Sequence, residues 1–423
     1  MFLISCIIPI YNSQSFLKET IESVICQSIG FEKIQLILIN DGSFDESEAI
    51  CMYYKNKYSN VEYHFQLNLG VSVARNQGIS FAKSDFISFL DSDDLLCKNY
   101  YEAGLNFFYK NNVDLVAYPI KEMRKNVFLE SPFPPRFNTI RVINVENEYK
   151  QNQFSACSVL IRTKALKNLK FNKNMHYSED AEFIHKIILR TLSYGVTNES
   201  FYIYRKNNSS VTKNKLYNLN WYQKDFQNRI IQYSIEKYGY VTKYTQNLCL
   251  YELTSFFIKD TKIHIDTINI INGLKFTLKF IDDDVIENSD LKISHKLFIF
   301  SLKGYDILVK TENNLNFMVG KVNILLPLSV NLFAIKELSN NVYISGYFSH
   351  IYDEISFLAK IKGKIVNLQK VETDRFDTFF LGVCINKSFV FENVFENCEF
   401  NEISFFAIYD NIMFPISINL VNN

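Results

Sequence analysis

Three carboxylates stand within four residues of one another at the end of an apolar run. Asp91, Asp93 and Asp94 directly follow FISFL, residues 86–90. Carboxylate oxygens are ligands for Mg²⁺ and Mn²⁺, and such an ion is often shared with the phosphates of a substrate. The spacing therefore predicts a weak divalent-metal site that a phosphate ligand completes.

Other polar residues follow the apolar runs that come earlier in the chain. Tyr11 and Asn12 come after the first run, Asp41 ends the second, and Arg75 follows the third. Each has an ordinary explanation, because such residues are common in turns, helix caps and solvated helix faces. Together, a ring that can stack, a short acceptor, a cation and paired carboxylates suit a base, a diphosphate and a metal.

The elements around these residues follow a β-α-β-α order. Residues 3–119 alternate short apolar runs, which predict strands, with amphipathic segments that predict helices at 15–28, 45–58, 71–82 and 95–109. This order is typical of a mostly parallel sheet covered by helices. Ligands bind such sheets beyond the carboxyl ends of the strands, so the loops named above are expected at one edge.

Further along, the pattern predicts a strand at 154–162, a helix from residue 178 and a strand that ends at Arg205. Residues 120–150 show little periodicity and predict an irregular excursion beside the site. The first strand-to-helix turn contains neither GxGxxG nor GxxxxGK[ST], which disfavours a nicotinamide enzyme and a P-loop kinase.

The chain resembles the inverting glycosyltransferases of family 2, which have the GT-A fold. The matching segments are SCIIPIYNSQSFLKETIESVICQS, LILINDGSFD, NLGVSVARNQGI, ISFLDSDD and SEDAEF, in this order between residues 3 and 215, about half of the chain. The resemblance implies transfer of a sugar from a nucleoside diphosphate, usually uridine diphosphate, with Mn²⁺ or Mg²⁺ as cofactor.

The resemblance also implies a role for individual residues. It places the metal at Asp93 and the general base at Asp180, with Glu179 beside it. Nucleotide-sugar binding is assigned to residues of the sheet edge and the neighbouring loops: Pro9, Tyr11, Asn12, Asp41, Arg75, Asp91, Ser92 and Arg205.

Members of the family often carry a histidine after the last strand of the catalytic domain, but YRKNNSSVTK, residues 204–213, contains none. The loop therefore provides no histidine as a metal ligand, although Arg205 could still contact phosphate.

Glu182 and His185 have an ExxH spacing. A di-iron bundle needs a second copy of this spacing, so solvent exposure or core packing is expected for the pair.

The charge balance, the cysteines and the N-terminal residues limit the partners and the cellular compartment to be expected for this protein. The 45 basic and 45 acidic residues balance, which removes the electrostatic case for nucleic acid as a partner. Eight widely spaced cysteines fit reduced thiols. The N-terminus lacks the basic region of a signal peptide and reads as a first strand. A cytoplasmic location is expected, with peripheral association at the inner face of the membrane as an alternative.

The chain exceeds what one core usually supports, so several domains are expected. Residues 1–215 are predicted to form a GT-A catalytic domain, 216–315 a helical connector, and 316–423 an immunoglobulin-like β-sandwich. This architecture is similar to that of wall teichoic acid glycosyltransferases and related surface-polymer enzymes. The terminal domain is a candidate for homo-oligomer formation or polymer binding.

The combined prediction is a metal-dependent inverting glycosyltransferase that uses a UDP-linked sugar. Its expected acceptor is a bacterial cell-surface glycan or a polyol-phosphate polymer. Two alternatives remain. One is a catalytically inactive carbohydrate-binding or assembly protein, against which the intact carboxylates argue. The other is a sugar nucleotidyltransferase, which would need a glycine-rich phosphate loop after the first strand, where this chain has PIYNSQS.

Overall fold

The computed structural model describes residues 2–125, 127–129, 132–175, 178–206, 227–254, 257, 267–305, 307–311, 315–319, 322–324, 329–338, 340–348, 355–373, 378–380, 383–386, 388–409 and 412–421. No helix in these ranges has the length and apolar character that a membrane-spanning segment requires. The chain forms two compact units, Met1–Leu248 and Cys249–Asn423. The predicted division into three parts stays a prediction.

The strands of the first unit are β1 (Ile4–Ile10), β2 (Ile34–Asp41), β3 (Val61–Gln66), β4 (Phe86–Phe89), β5 (Leu95–Leu96), β6 (Leu115–Ala117), β7 (Ile120–Arg124), β8 (Val127–Phe128), β9 (Arg141–Asn144), β10 (Val159–Arg162), β11 (Ser193–Val196) and β12 (Tyr202–Arg205). Eight of them form a mixed sheet in the order β3-β2-β1-β4-β10-β6-β11-β9. β1 pairs in parallel with β2 and β4, and β2 pairs in parallel with β3. The predicted mostly parallel sheet is therefore present, and antiparallel pairing enters through β10 and β9.

Its helices are α1 (Leu17–Ile25), α2 (Ser47–Lys57), α3 (Val71–Phe81), α4 (Tyr100–Lys110), α5 (Thr163–Leu166), α6 (Glu179–Thr191) and α7 (Asn228–Tyr238). Every residue of β1 and β2 is buried, so both faces of these strands are covered. Continuous apolar runs are expected for such strands, since neither face meets water.

Two local predictions were wrong. The helix predicted at 95–109 begins at Tyr100, because Leu95 and Leu96 pair with β12 as the short strand β5. Residues 120–150 are not wholly irregular. β7 pairs in parallel with β12, and β9 pairs with the edge strand β11. These pairings join residues far apart in the sequence, and the strands are short and largely exposed. Their local sequence pattern therefore did not predict strands.

Four further helices follow: α8 (Lys243–Leu253), α9 (Thr267–Leu278), α10 (Asp283–Glu287) and α11 (Ile293–Leu302). In the second unit, Leu253, Leu274 and Ile299 contribute buried side chains to one apolar cluster of α8, α9 and α11. The predicted helical character of this stretch is thus visible where the structure describes it.

The remaining strands are β13 (Ile307–Thr311), β14 (Leu315–Val319), β15 (Val322–Ile324), β16 (Ser329–Leu338), β17 (Asn341–Phe348), β18 (Ser356–Ile361), β19 (Lys364–Asn367), β20 (Thr378–Phe380), β21 (Val383–Asn386), β22 (Phe389–Glu396), β23 (Ile403–Tyr409) and β24 (Ile412–Leu420). Seven of them form one sheet in the order β19-β18-β23-β24-β16-β17-β22. The first half of β24 pairs with β23 and its second half with β16.

The two ends of this sheet face each other. Phe348 of β17 stacks on Phe357 of β18 with ring centroids 3.9 Å apart, and Phe391 of β22 lies 5.6 Å from Phe405 of β23. Strands from opposite ends of the order therefore share one aromatic core, as the layers of a β-sandwich do. The more specific immunoglobulin-like assignment stays a prediction.

Candidate active site

The carboxyl ends of β1, β2 and β4 form one edge of the central sheet. Ile10 lies beside Asn40 in the parallel register, and Ile7 lies beside Phe89. The loops that follow these three strands therefore emerge next to one another, as the sequence predicts. Five of the predicted site residues lie in the loops after β1 and β4, namely Tyr11, Asn12, Asp91, Ser92 and Asp93, and Asp41 is the last residue of β2.

Arg75 is the centre of the site. It lies on α3, its side chain is only 4% exposed, and its Nη1 is 2.5 Å from Asp180 Oδ1 and 3.2 Å from Glu179 Oε1. Its Nη2 is 2.9 Å from Asp91 Oδ1. One buried guanidinium thus joins the loop after β4 to the first turn of α6. Residues more than 100 positions apart in the chain meet here.

Three carboxylates around one guanidinium leave an excess of negative charge. Burial raises the pKa of Asp180, and the negative charges of Glu179 and Asp91 raise it further. The positive charge of Arg75 lowers it in part, and the pKa of Asp180 is about 7. Burial alone would lower the pKa of Arg75, but the same carboxylates raise it well above its usual value. A pKa near 7 suits a general base that works at neutral pH, and the role of Asp180 as that base stays a prediction.

Asp180 is also accessible. Its side chain is 24% exposed, and its Oδ2 accepts a hydrogen bond from the backbone N–H of Ala156 at 3.3 Å. It lies in the first turn of α6, where the partial positive charge of the helix end favours a carboxylate. The side chain is thus held in place while part of it faces solvent.

The loop after β4 is anchored by residues that the sequence did not single out. The Ser92 hydroxyl is hydrogen-bonded to that of Ser13 at 2.6 Å. The Thr20 hydroxyl of α1 lies 3.0 Å from the Ser92 carbonyl oxygen and 2.9 Å from that of Asp94. Neither Ser13 nor Thr20 could be singled out from the sequence, because serine is common in loops and threonine occurs in amphipathic helices without any function.

Asp94 differs from Asp91 and Asp93 in its surroundings. It is buried, and its carboxylate accepts hydrogen bonds from the Tyr202 hydroxyl at 2.7 Å and from the Arg205 backbone N–H at 2.8 Å. Burial and the charges of Asp91 and Asp93 raise its pKa to about 8. Asp94 therefore joins the loop to β12, whereas Asp91 and Asp93 are only partly buried.

The loops after β1 and β2 are tied together. Asn12 donates its backbone N–H to the Ser43 hydroxyl, and its side-chain oxygen accepts the Phe44 N–H, both at 3.0 Å. The Tyr11 ring is 45% exposed beside them. Pro9, by contrast, is buried inside β1 and paired with Ile39.

Asp41 organises the loop that leads to α3. Its Oδ1 accepts hydrogen bonds from Gln66 Nε2 at 2.7 Å and from the Leu69 N–H at 2.8 Å, and its Oδ2 accepts from the Gly70 N–H at 2.9 Å. A structural role is thus visible, and a contact with the nucleoside stays a prediction.

Arg205, at the end of β12, forms an ion pair with Glu19 of α1 and lies over the Phe16 ring at 5.5 Å. This places its guanidinium on the α1 side of the loop that contains Asp93. The rest of the segment YRKNNSSVTK, from residue 207 onward, lies outside the described residues.

The ExxH pair belongs to the core. Glu182 is buried and pairs with Lys186 at 2.5 Å, while His185 stacks on Tyr244 and contacts the Thr245 hydroxyl at 3.1 Å. Burial lowers the pKa of His185 to about 3, so the ring is neutral. Packing, rather than metal binding, explains this spacing.

The donor set around Asp93 suits a hard divalent ion that is shared with a substrate. Asp91 and Asp93 are separated by one residue and follow one strand, and both offer carboxylate oxygens. Within the described ranges, no group of three or more His, Cys, Asp or Glu side chains could hold a metal ion by itself. An ion at Asp93 would need further ligands, and the phosphates of a donor are of the right chemical type.

Comparison with known proteins gives the family. The sequence model of glycosyl transferase family 2 matches residues 5–169. The minor teichoic acid biosynthesis protein GgaB of Bacillus subtilis (strain 168) is 33% identical over 410 residues, which are 90% of this chain and 45% of GgaB. GgaA of the same strain is 33% identical over 324 residues, 71% of each chain. The chain thus spans less than half the length of GgaB and most of GgaA.

Solved structures give the same fold. TarS of S. aureus aligns with 100% of this chain and 79% of its own, with a TM-score of 0.64 and 15% identity. The TarS fragment 1–349 in complex with UDP-GlcNAc aligns with 76% of this chain and 98% of its own, with a TM-score of 0.61 and 18% identity. At such identities the similarity concerns the fold. The family match and the identity to GgaA lead to one conclusion: the chain belongs to glycosyltransferase family 2.

Proposed function

We propose that this enzyme transfers a sugar from a UDP-linked donor to a polyol-phosphate polymer or a related bacterial surface glycan, with inversion at the anomeric carbon. The single observation that carries the proposal is the position of Arg75 between Asp91 and Asp180. A carboxylate suited to the leaving-group side and a carboxylate suited to a base lie on either side of one cation. The names of GgaA and GgaB, and the UDP-GlcNAc bound to TarS, support the choice of acceptor and donor.

The reaction is a single displacement. Asp180 takes the proton of the acceptor hydroxyl as its oxygen attacks the anomeric carbon, and the bond from that carbon to the diphosphate oxygen breaks with its electron pair on the diphosphate. Its pKa of about 7 lets the carboxylate accept this proton near neutral pH. Arg75 keeps Asp180 oriented and places Asp91 beside it.

The leaving group would lie against the loop that contains Asp91 and Asp93. Arg205 borders this loop through its backbone N–H, which contacts Asp94, and its guanidinium, now paired with Glu19, would be the group that contacts a phosphate. A divalent ion held by Asp93, with Asp91 nearby, would supply Lewis-acid stabilisation of the diphosphate charge. Ser13 and Thr20 hold the loop in position before the donor arrives.

The test is binding of UDP with and without a divalent ion. A ligand that binds only the folded state raises the melting temperature, by an amount that reflects about 2.7 kcal/mol at 100 times Kd. We expect UDP to stabilise the wild type with Mn²⁺ but not in excess chelator, and Asp93→Ala to lose most of that response. Asp85→Ala is the matched control, because Asp85 is exposed and precedes β4 at its opposite end.

The outcomes separate the parts of the proposal. Equal stabilisation by UDP in chelator contradicts the metal requirement. No stabilisation by UDP under any condition contradicts the donor. Transfer from UDP-sugars to polyol-phosphate polymers, measured as a gain in polymer mass, tests the acceptor. If only this transfer assay fails, the proposed acceptor is wrong and the proposed donor still stands.

A further inference from the structure

Phe44 is an exposed aromatic residue beside the proposed nucleotide site. It follows Asn40-Asp41-Gly42-Ser43 after β2, and its side chain is 84% exposed. Its ring is 6.2 Å from that of Tyr11 and nearly perpendicular to it, at 84°. Phe44 and Tyr11 together therefore present two exposed aromatic rings next to each other at the edge of the sheet where the site lies.

The backbone under this ring is held firmly. Asn12 accepts the Phe44 N–H at 3.0 Å, Asp45 accepts the Gln14 N–H at 3.0 Å, and the Gln14 side chain accepts the Glu46 N–H at 3.0 Å. The loop after β2 is thus joined to the loop after β1 on both sides of Phe44. A ligand would meet a surface that is already in place, which lowers the entropy cost of binding.

Phe44 and Tyr11 form a corner of two rings. In an edge-to-face pair only one ring face is covered by the partner, and both side chains here are substantially exposed. A flat heteroaromatic ring can stack on one wall of such a corner and meet the edge of the other. The corner therefore suits a nucleobase better than an aliphatic group.

The distance to the carboxylate loop fits one nucleotide. The corner follows β1 and β2, and Asp93 follows β4 on the other side of β1. Adjacent strands are about 5 Å apart, so the corner and the carboxylates lie roughly 10 Å apart, a span that one nucleoside diphosphate can bridge. The hydrogen bond between Ser13 and Ser92 connects the two ends of this path.

We infer that Phe44 forms the second aromatic wall of the base subsite and, with Tyr11, encloses the base of the nucleoside diphosphate donor. The inference rests on the proposed donor, because another donor class would place no pyrimidine there. Asp91, Asp93 and Asp180 act on the diphosphate and the acceptor, whereas Phe44 contributes to binding alone.

The experiment is calorimetric titration of the full chain with UDP and with UMP in Mn²⁺. Base stacking on an aromatic side chain is worth enough that Phe44→Ala should weaken both nucleotides by about 10-fold. Phe44→Tyr should restore wild-type affinity. Leu67→Ala is the matched control, because Leu67 is 74% exposed on the neighbouring loop. The affinity of Leu67→Ala for both nucleotides should stay within about twofold of wild type. With a UDP-sugar, Phe44→Ala should raise KM and leave kcat unchanged.

The results that would overturn the inference are distinct from those that would overturn the function. If the wild type binds UDP and Phe44→Ala binds it equally well, Phe44 is not part of the base subsite. The same holds if only the KM for the acceptor rises. If the wild type binds neither UDP nor UMP, the donor proposal fails, and this inference fails with it.

Discussion

At the scale of single residues, Arg75 decides how the acids of the site behave. It contacts Asp91, Glu179 and Asp180 with the two nitrogens at the end of its side chain. Removing one partner of such a buried charge cluster is costly, because the others lose their compensation. Arg75 therefore serves stability and site geometry together, and the two candidate bases next to it have to be distinguished by experiment.

Asp180→Asn and Glu179→Gln should have different effects on transfer. Asn keeps the size and hydrogen bonding of Asp180 but cannot accept the proton, so transfer should fall by about 10²- to 10⁴-fold while UDP-sugar affinity is retained. Glu179→Gln should keep most of the transfer activity. Both quantities are measured under the same conditions. Loss of transfer in Glu179→Gln alone would move the base to Glu179.

The pH dependence should follow the pKa of Asp180. Only the deprotonated carboxylate can act as base, so the transfer rate should fall about 10-fold per pH unit below pH 7. Glu179→Gln removes a neighbouring charge that raises this pKa, so its midpoint should move to lower pH. Rates are measured from pH 5 to 9. A midpoint that stays in place in Glu179→Gln would mean that another group titrates.

The same pKa shift has a consequence for stability. Between its usual value of 3.8 and about 7, Asp180 binds a proton in the folded state that the unfolded state does not bind. Its contribution to the free energy of unfolding therefore grows as the pH falls from 8 to 5. In Asp180→Asn that pH-dependent part should be absent.

At the scale of elements, α3 holds Arg75 in position by lying very close to β1. A Cβ atom on Gly78 would come within 2.4 Å of Ile7 Cγ2, so the helix can approach the strand only with glycine there. Gly78 lies one turn after Arg75. The contact between Gly78 and Ile7 sets the distance between α3 and β1, and it thereby also sets the position of the Arg75 guanidinium.

Gly78→Ala should destabilise the protein and impair transfer. Overpacking of this kind typically costs about 1–3 kcal/mol, and displacement of α3 would move Arg75 away from its carboxylates. Ser80→Ala is the control, because Ser80 is exposed on the same helix and should change stability by less than about 0.5 kcal/mol. Urea denaturation and transfer rates provide the measurements. Wild-type stability in Gly78→Ala would show that α3 can move without cost.

At the scale of the whole molecule, the β-rich end of the second unit has a core of its own. Most of its buried residues come from β16, β17, β18, β22, β23 and β24, and they include Phe348, Phe391 and Phe405. Domains with separate cores often fold separately and mediate assembly. We propose a role for this region in self-association or in engagement of a long acceptor.

A chain that ends at residue 305 should retain donor hydrolysis, since β13 begins only at Ile307 and the site residues all precede it. It should lose either oligomer mass or transfer to long polymers, while transfer to short acceptors continues. Light scattering and polymer assays are compared with those of the full chain. If neither property changes, the region has another role.

Whether a strand could be predicted from the sequence depends on how far apart in the chain its contacts lie. The strands β1 and β2 could be predicted from their continuous apolar runs, because burial on both faces leaves no room for polar residues. The short strands β5 and β7 could not, since each exists by pairing with β12, about 80 to 110 residues away. Pairing partners at such separations leave no local pattern.

The order of the strands and the residues that follow them were sufficient to predict which side chains gather at one edge of the sheet. Tyr11, Asp41 and Asp93 could be placed at this edge because parallel strands bring their carboxyl ends together, and their roles stay predictions. The folded chain was needed to show that Arg75 binds Asp180 and Asp91 at once, and that Asp94 is buried against Tyr202 while its neighbours are not. Side-chain contacts and pKa shifts depend on burial and on charges from distant parts of the chain, and these exist only after the chain has folded.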